Sequence, residues 1–314
     1  MEQIFRALGE RNRLRIVLIL ERGPLSVGEI TWVVGLSQSN ASHHLKLLSD
    51  AGVVLRRGEK GWVFYGINWN DPLVAAIVRI AAGERASLSC SRPDMRRLSV
   101  MYRERRNRSI EFFGALGQQW NQIRESLPPP SVYMDTLTRL LGTRETLLEV
   151  GVGTGHMIPL LARHAQSVLG VDNSPEMLAA AEKSATAQGL SNRVEFRLGE
   201  AEHLPLGDGS VDGVLMHFML HHAGNPRDAV KEASRVLNAS GSLVLAEFTG
   251  HTAESLRSRH GDLWPGFTPD ELKQWGGEAG LSPDFEMIVE EHSMMVLSMS
   301  KGDNHEEQQR FSGG

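Results

Sequence analysis

The sequence predicts an α/β protein of two domains, on three observations. Its 314 residues exceed the usual length of one domain. Close to the start, short helical patterns precede a pair of strands in which apolar and polar residues alternate. The later part alternates apolar, strand-like runs with helical patterns, which is typical of a mostly parallel sheet covered by helices. We therefore expect a small α+β domain followed by a larger domain with a mostly parallel sheet.

The composition excludes several classes of protein. Hydrophobic residues make up 41% of the chain, enough for real cores, yet no apolar run is long enough to span a membrane. The first ten residues mix charged and apolar types, unlike a secretory leader. The single cysteine, Cys90, excludes an internal disulfide and a multi-cysteine metal cluster. We expect a cytoplasmic protein with no membrane partner.

Charge is distributed unevenly along the chain. Residues 1–127 carry 19 Lys and Arg against 12 Asp and Glu, whereas residues 128–314 carry 14 against 26. A basic front part and an acidic remainder indicate that only the front part meets a polyanion.

The front part has two short helices joined by a tight turn. Apolar spacing predicts a helix over residues 2–21. Ser26 caps a short helix, Val27–Val34, and Ser37 caps a longer one, Gln38–Ser49. In a helix-turn-helix, the second helix of such a pair enters the DNA major groove.

The second helix also has a suitable composition, with polar residues at the end that contacts base edges in recognition helices. Two alternating strands follow within residues 53–67, and their basic residues are placed to contact phosphates as a wing. The residues predicted to contact DNA are Gln38, Ser39, Asn40, Ser42, His43 and Lys46 on the helix, and Arg56, Arg57 and Lys60 on the hairpin.

The segment L-S-Q-S-N-A-S-H-H-L-K-L-L, residues 36–48, resembles the recognition segment of ArsR/SmtB-type winged helix-turn-helix repressors. That family binds palindromic operators as a dimer, so the resemblance implies double-stranded operator DNA and a homodimer. The final helix of this region, residues 72–87, would pack against its twin. It lacks histidine, and the helix before the recognition helix lacks cysteine, so we expect no metal.

The most specific motif of the larger domain is E-V-G-V-G-T-G-H at residues 149–156. It follows a strand-like run and precedes a helical pattern, so the glycines form a strand-to-helix turn. Glycine is required there because a Cβ would block a ligand or forbid a positive φ. A second strand, residues 167–171, leads to Asp172, an acid placed to accept hydrogen bonds from two ribose hydroxyls.

The spacing G-x-G-x-G differs from that of dinucleotide folds and resembles the first motif of class I S-adenosylmethionine-dependent methyltransferases, which have a Rossmann-like fold. The stretch G-E-A-E-H-L-P-L, residues 199–206, resembles a later motif of that family, whose acid binds the adenine amino group. The resemblance covers roughly residues 120–300 and implies S-adenosylmethionine or S-adenosylhomocysteine as the ligand. The residues expected to bind it are Glu149, Gly151, Gly153, Gly155, Asp172, Asn173, Glu200, Ala201, His217 and Trp120.

A basic and then amphipathic segment, residues 92–124, predicts a helical connector between the domains. Its part F-F-G-A-L-G-Q-Q-W-N resembles the segment that folds over the ligand in such methyltransferases, which suggests Trp120 as a lid residue. The predicted division is residues 1–90 for DNA binding and dimerisation, 91–130 for the connector, 131–301 for the methyltransferase-like domain and 302–314 for a disordered tail.

Two functions are open at this point. A transcriptional repressor whose operator affinity is controlled by the S-adenosyl ligand is favoured by the fusion itself, and the whole layout resembles S-adenosylhomocysteine-responsive regulators of the methionine cycle. The alternative is an active methyltransferase with an attached DNA-binding domain. His217, His221 and His222 follow the fourth strand, where a base could act, but the sequence has no acceptor signature.

Overall fold

The computed structural model describes residues 1–57, 63–87, 91–116, 127–250 and 262–302. It confirms the predicted α/β architecture of a small front domain and a larger domain with a mostly parallel sheet. The helices are α1 (Glu2–Leu8), α2 (Arg11–Leu20), α3 (Val27–Val34), α4 (Gln38–Asp50), α5 (Pro72–Gly83), α6 (Ser91–Leu116), α7 (Pro130–Leu141), α8 (Ile158–His164), α9 (Pro175–Ala187), α10 (Pro226–Val236) and α11 (Pro269–Glu278). The strands are β1 (Leu25–Ser26), β2 (Val54–Arg57), β3 (Phe64–Ile67), β4 (Arg144–Val150), β5 (Ala165–Asp172), β6 (Val194–Leu198), β7 (Val211–His217), β8 (Leu237–Phe248), β9 (Leu281–Val289) and β10 (Met294–Lys301).

The first predicted helix, residues 2–21, is two helices in the structure. Helix α1 ends at Leu8, and the side chain of Glu10 accepts hydrogen bonds from the backbone N–H groups of Asn12 and Arg13, both at 3.0 Å. A carboxylate in this position caps a new helix and interacts favourably with its dipole. The single-helix prediction was therefore wrong, because apolar spacing alone does not reveal a capping residue within a helical pattern.

Helices α3 and α4 form the predicted helix-turn-helix. Ser26 and Glu29 make a complete capping box at the start of α3, and Gly35 ends that helix with a φ of 75°. Ile30 on α3 and Leu45 on α4 are fully buried in the core of the front domain. An antiparallel sheet in the order β1-β3-β2 completes this domain and provides the wing strands.

The larger domain is built on a seven-stranded sheet in the order β6-β5-β4-β7-β8-β10-β9. The pairs along β6-β5-β4-β7-β8 are parallel, and β10 is antiparallel to both of its neighbours. Because β4 lies between β5 and β7, the strand order reverses at β4. In open α/β sheets, ligands bind at the carboxyl ends of the strands at such a reversal.

Helix α6 joins the two domains. Leu98 and Met101 on this helix are buried in the core of the front domain. One turn later, the Arg105 guanidinium lies 4.0 Å from the ring centroid of Trp264, a fully buried residue of the larger domain. The predicted connector therefore begins as a packed helix, and at its other end Pro130 opens α7.

Within the described part of the chain, the structure has no helix both long and apolar enough to cross a membrane.

Candidate functional site

The glycine turn between β4 and α8 requires backbone conformations that side chains rarely adopt. Gly151, Gly153 and Gly155 have φ values of 72°, 52° and 78°. A Cβ at Gly151 would lie 2.7 Å from the Cβ of Met219, too close for any real contact. The N–H of Gly151 donates to the Val171 carbonyl at 2.8 Å, which fixes the turn against the end of β5. The turn therefore presents bare backbone to the space beside it.

Asp172 lies at the carboxyl end of β5, with both of its oxygens held in place. Oδ2 accepts a hydrogen bond from the N–H of Gly153 at 2.8 Å, and Oδ1 accepts one from the N–H of Ser174 at 3.0 Å. Burial raises the pKa of this carboxyl, and the backbone N–H groups act in the opposite direction. Each carboxylate oxygen can accept a second hydrogen bond, so the oriented acid can also receive a pair of hydroxyl groups.

Glu149 on β4 is the neighbouring acid and is only 3% exposed. Its Oε2 atom is buried and has no hydrogen-bond partner among the described residues. Burial, and then the nearby charge of Asp172, raises the pKa of Glu149 well above its usual range. An unsatisfied buried acceptor is costly, so this atom points to a ligand that brings a donor.

These groups line one cleft at the strand-order reversal, with an empty volume of ≈ 960 Å³ that includes its mouth. Of the predicted ligand-binding residues, seven line this cleft: Glu149, Gly151, Gly153, Asp172, Asn173, Ala201 and His217.

Of the other three predicted ligand-binding residues, two lie outside this lining and the third is not among the described residues. Gly155 does not line the cleft; a Cβ there would approach Ala181 of α9 to 3.2 Å, so this glycine permits close helix packing. Glu200 forms an ion pair with Arg106 of α6 at 3.1 Å and is also absent from the lining. Trp120 lies outside the described residues.

Two charged residues of the lining, Glu202 and Arg106, were not predicted from the sequence. Glu202, two positions after Glu200, lines the cleft, accepts a hydrogen bond from the N–H of Asn225 at 2.8 Å and has a pKa raised by burial. Arg106 lines it from α6. The sequence contains both Glu200 and Glu202, but which of them lines the cleft depends on the position of Arg106, which pairs with Glu200.

The three histidines of the β7 end are separated by the fold. His217 Nε2 lies 3.0 Å from the Tyr133 hydroxyl at the cleft, and His222 also lines the cleft. His221 is buried behind them, with Nδ1 2.6 Å from Glu247 Oε1. Burial disfavours its charged form, but Glu247 and Asp262 together raise the pKa of His221.

The surface predicted to bind DNA is exposed along α4. The outward positions predicted for base contact are all exposed, whereas Ala41, Leu45 and Leu48 are buried on the opposite side. Those exposed positions are Gln38, Ser39, Asn40, Ser42, His43 and Lys46.

The two wing arginines differ. Arg56 is exposed, but the Arg57 guanidinium lies 2.5 Å from Glu271 of α11 and is largely covered. Successive side chains of a strand point to opposite faces, so only one of two adjacent arginines can face outward. The prediction that Arg57 contacts phosphate is therefore not supported by its position. Lys60 lies outside the described residues.

The fold and the site together define a helix-turn-helix protein that carries a methyltransferase-type cleft. Comparison with known families agrees: residues 10–55 match the family described as bacterial regulatory protein, arsR family, and residues 148–245 match the methyltransferase domain family. The chain thus combines an arsR-family helix-turn-helix with a methyltransferase domain, and the methyltransferase match implies an S-adenosyl ligand.

Several characterised and uncharacterised methyltransferases are similar to the larger domain. The uncharacterized methyltransferase YcgJ of Bacillus subtilis is 36% identical over 101 residues, covering 32% of this chain and 40% of that protein. The demethylmenaquinone methyltransferase of Porphyromonas gingivalis is 35% identical over 107 residues, covering 33% and 44%. The chain thus spans less than half the length of either relative.

A solved structure supports the fold. The complex between the Haloferax volcanii Trm112 methyltransferase activator and its methyltransferase contains a chain that superposes with a TM-score of 0.50 at 16% identity. The match covers 61% of this chain and 98% of that chain. At this identity the likeness concerns the fold alone.

Proposed function

We propose that this protein is a transcriptional repressor whose operator affinity is controlled by S-adenosylhomocysteine or S-adenosylmethionine bound in the methyltransferase domain. The observation that carries the proposal is the position of helix α6, which contacts the helix-turn-helix on one side and the ligand cleft on the other. A coupling between two sites requires an element whose arrangement both sites can bias, and α6 meets that requirement.

The contact to the DNA-binding side runs through Arg105. Its Nη2 lies 2.6 Å from Oε2 of Glu29, the residue that completes the capping box of α3. The same guanidinium stacks on Trp264 of the larger domain. A shift of α6 along its axis would therefore disturb the start of α3, the helix that supports the recognition helix α4.

The contact to the ligand side runs through the next residue, Arg106. This arginine lines the cleft and pairs with Glu200, the acid that the family resemblance assigns to the adenine amino group. Glu200 does not line the cleft in this structure, so a ligand that takes it as an acceptor would have to draw it away from Arg106. The helix also touches the loop beyond β7, since a Cβ at Gly224 would lie 2.9 Å from the Tyr102 carbonyl oxygen. These contacts support a link between ligand binding and the position of α6.

The residues of the cleft suit the parts of an S-adenosyl ligand. Asp172 would accept the ribose hydroxyls, and the unsatisfied Oε2 of Glu149 would accept from the amino group of the amino-acid part. The two candidate ligands differ by one methyl group and one positive charge on sulfur. Only a difference in affinity between the DNA-binding and released states shifts the equilibrium. We take S-adenosylhomocysteine as the signal, following the resemblance of the whole layout.

A homodimer is part of the same proposal. Two recognition helices must span about one turn of DNA to bind a palindromic operator. Phe5 on α1 is 55% exposed and Ile80 on α5 is 69% exposed, and both are large apolar side chains suited to a subunit contact.

The test is a linkage measurement on the full chain, using an operator selected from random duplex DNA by the protein itself. We expect S-adenosylhomocysteine to weaken operator binding by about 5- to 150-fold, and operator DNA to weaken the ligand by the same factor. Arg106→Ala should reduce this factor towards one, whereas Arg103→Ala, an exposed position on the same helix, should preserve it. Equal ligand affinities with and without operator would contradict the proposal.

The alternative is an active methyltransferase. It is supported by His217 and His222, two potential bases at the cleft, and by relatives whose names describe methyltransferases. Methyl turnover from S-adenosylmethionine to an acceptor, together with operator binding that ignores the ligand, would favour this function.

A further inference from the structure

A cluster of three ligand-type side chains lies beside the cleft, and the proposed repressor function does not use it. His221 and His222 belong to the short helical turn Leu220–His222, and Asp262 approaches them from the segment before α11. All three are buried, and one donor atom from each lies within 4.8 Å of the other two. We propose that this cluster is a metal site that binds a divalent ion of the zinc class.

The distances fit donor atoms that share an ion. His221 Nε2 lies 3.5 Å and His222 Nδ1 lies 3.7 Å from Oδ1 of Asp262. Both separations exceed those of ordinary hydrogen bonds. Donors bound to zinc at about 2.0–2.1 Å in tetrahedral geometry lie roughly 3.3–3.5 Å from one another. A small contraction would therefore bring the three atoms to bonding distance of one ion.

An outer carboxylate orients the first of these ligands. Glu247 Oε1 lies 2.6 Å from His221 Nδ1, and Glu247 Oε2 accepts a hydrogen bond from the N–H of Leu220 at 2.9 Å. This arrangement turns His221 Nε2 towards Asp262. The ring nitrogen of a metal-binding histidine that does not face the metal almost always donates to a carboxylate, a backbone carbonyl or a water, and Glu247 is such a partner.

The charge balance of this region also favours a cation. Glu247 is 1% exposed and Asp262 is 3% exposed, so two carboxylates share one buried space. Two carboxylates in one buried space are stabilised by a nearby cation, and a divalent ion held by neutral His221 and His222 would supply that charge.

The donor set selects the class of ion. Two imidazole nitrogens and one carboxylate oxygen suit Zn²⁺ and related first-row ions, whereas Mg²⁺ and Ca²⁺ prefer oxygen ligands. Three protein ligands leave a fourth position, and His222 places the site beside the cleft. No metal was expected from the sequence, because the helix before the recognition helix lacks cysteine and the final helix of the front domain lacks histidine.

Metal binding would strengthen the junction between the domains. The N–H groups of Leu263 and Trp264 donate to the His221 carbonyl at 3.0 and 3.2 Å, so Asp262 and His221 already lie on two paired segments. An ion between them would hold the loop after β7 against the segment that carries Trp264. This consequence does not depend on the proposed ligand-controlled repression.

The test is metal analysis of the purified full chain, first by elemental analysis and then by competition with a chromophoric zinc chelator. We expect about one Zn²⁺ per chain, and visible d–d absorption when Co²⁺ replaces it, as expected for four-coordinate ligation with nitrogen donors. Glu247→Gln should weaken zinc by about 10- to 100-fold without abolishing the Co²⁺ spectrum, because it removes only the orienting group.

Two ligand variants and one control complete the test. His222→Gln and Asp262→Asn should each abolish stoichiometric zinc, while His203→Gln, whose side chain is 78% exposed, should retain it. Circular dichroism checks that each variant is folded. Folded wild-type protein that binds no Zn²⁺ or Co²⁺, or an Asp262→Asn variant with unchanged affinity, would overturn the proposal and leave the cluster as a hydrogen-bonded network of the protein alone.

Discussion

A buried carboxylate, Glu149, and a half-buried one, Asp172, lie near the ends of neighbouring strands at the cleft, and their surroundings give them different roles. Asp172 is already oriented by two backbone N–H groups, whereas Glu149 has an oxygen with no partner among the described residues. Asp172 can bind the ligand without a prior rearrangement, because its carboxylate is already oriented. An unsatisfied acid destabilises the empty protein and gains a partner only on binding.

Asp172→Asn should weaken S-adenosylhomocysteine by about 10- to 150-fold, since hydrogen bonds to a charged group contribute about 1.5–3 kcal/mol. The amide keeps the size of the side chain, so the glycine turn should persist. Calorimetry measures the affinity, with Asp208→Asn as control because that carboxyl is 84% exposed and pairs with Arg235. Unchanged affinity in Asp172→Asn would mean that the ribose lies elsewhere.

Glu149→Gln should stabilise the ligand-free protein, increasingly so as the pH rises. The folded protein raises the pKa of Glu149 above its ordinary value of 4.5. The native state therefore holds this proton more tightly, and its stability declines as the pH rises from that ordinary value through the raised one. Thermal unfolding across this pH range should show a growing gap between variant and wild type.

Glu145→Gln is the matched control, since Glu145 lies on the same strand but is exposed. The same Glu149→Gln variant should bind S-adenosylhomocysteine more weakly than the wild type. If Glu149→Gln is no more stable than the wild type at high pH, the ionised Glu149 carboxyl does not destabilise the ligand-free protein.

At the scale of elements, the recognition helix and the wing divide the work of DNA binding. The exposed residues near the start of α4 can meet base edges, whereas Arg56 on β2 can meet phosphates. Its neighbour Arg57 is instead committed to Glu271 of α11. Two adjacent arginines thus serve two different interfaces.

Gln38→Ala should relax preference at particular base pairs. Arg56→Ala should weaken all sequences alike and reduce the slope of affinity against salt by about one. Arg57→Ala should leave that slope unchanged, because its charge is already paired. Titrations across salt concentrations measure all three variants; a reduced slope in Arg57→Ala would mean that the wing rearranges on DNA.

Elements that are specified by adjacent residues were predictable from the sequence, whereas positions that depend on long-range contacts were not. The capping box of α3 and the glycine turn after β4 are written in adjacent residues, so both were found from the sequence. The helix start at Glu10 was missed because its cap lies inside a regular apolar pattern. At the site, Asp172 follows its strand directly, but the position of Glu200 depends on Arg106, which lies some ninety residues earlier. No local pattern carries that information.

At the scale of the whole molecule, Arg105 joins three parts of the chain. It pairs with Glu29 of the front domain, stacks on Trp264 of the larger one and is itself 1% exposed. Arg105→Gln should lower the free energy of unfolding by about 3–5 kcal/mol, since it leaves one partner of a largely buried ion pair without its charge.

Denaturant unfolding of the full chain measures this change. Arg103→Gln, on an exposed position of the same helix, should change the stability by less than about 0.5 kcal/mol. If Arg105→Gln and Arg103→Gln are equally stable, the Arg105 contacts do not stabilise the junction between the domains. Coupling between ligand and operator binding would then need other contacts.

The burial of Trp264 between the two domains limits how this protein can be divided. The Trp264 indole is completely covered, and the cover includes Phe64 from the wing and Tyr102 from α6, with ring centroids 6.4 and 6.3 Å away. A cut between the two coding halves would leave this ring in water on one product and its apolar cover in water on the other. Neither half is therefore a freely exchangeable module: each would be prone to precipitate when produced alone, and the two should recombine when produced in the same cell.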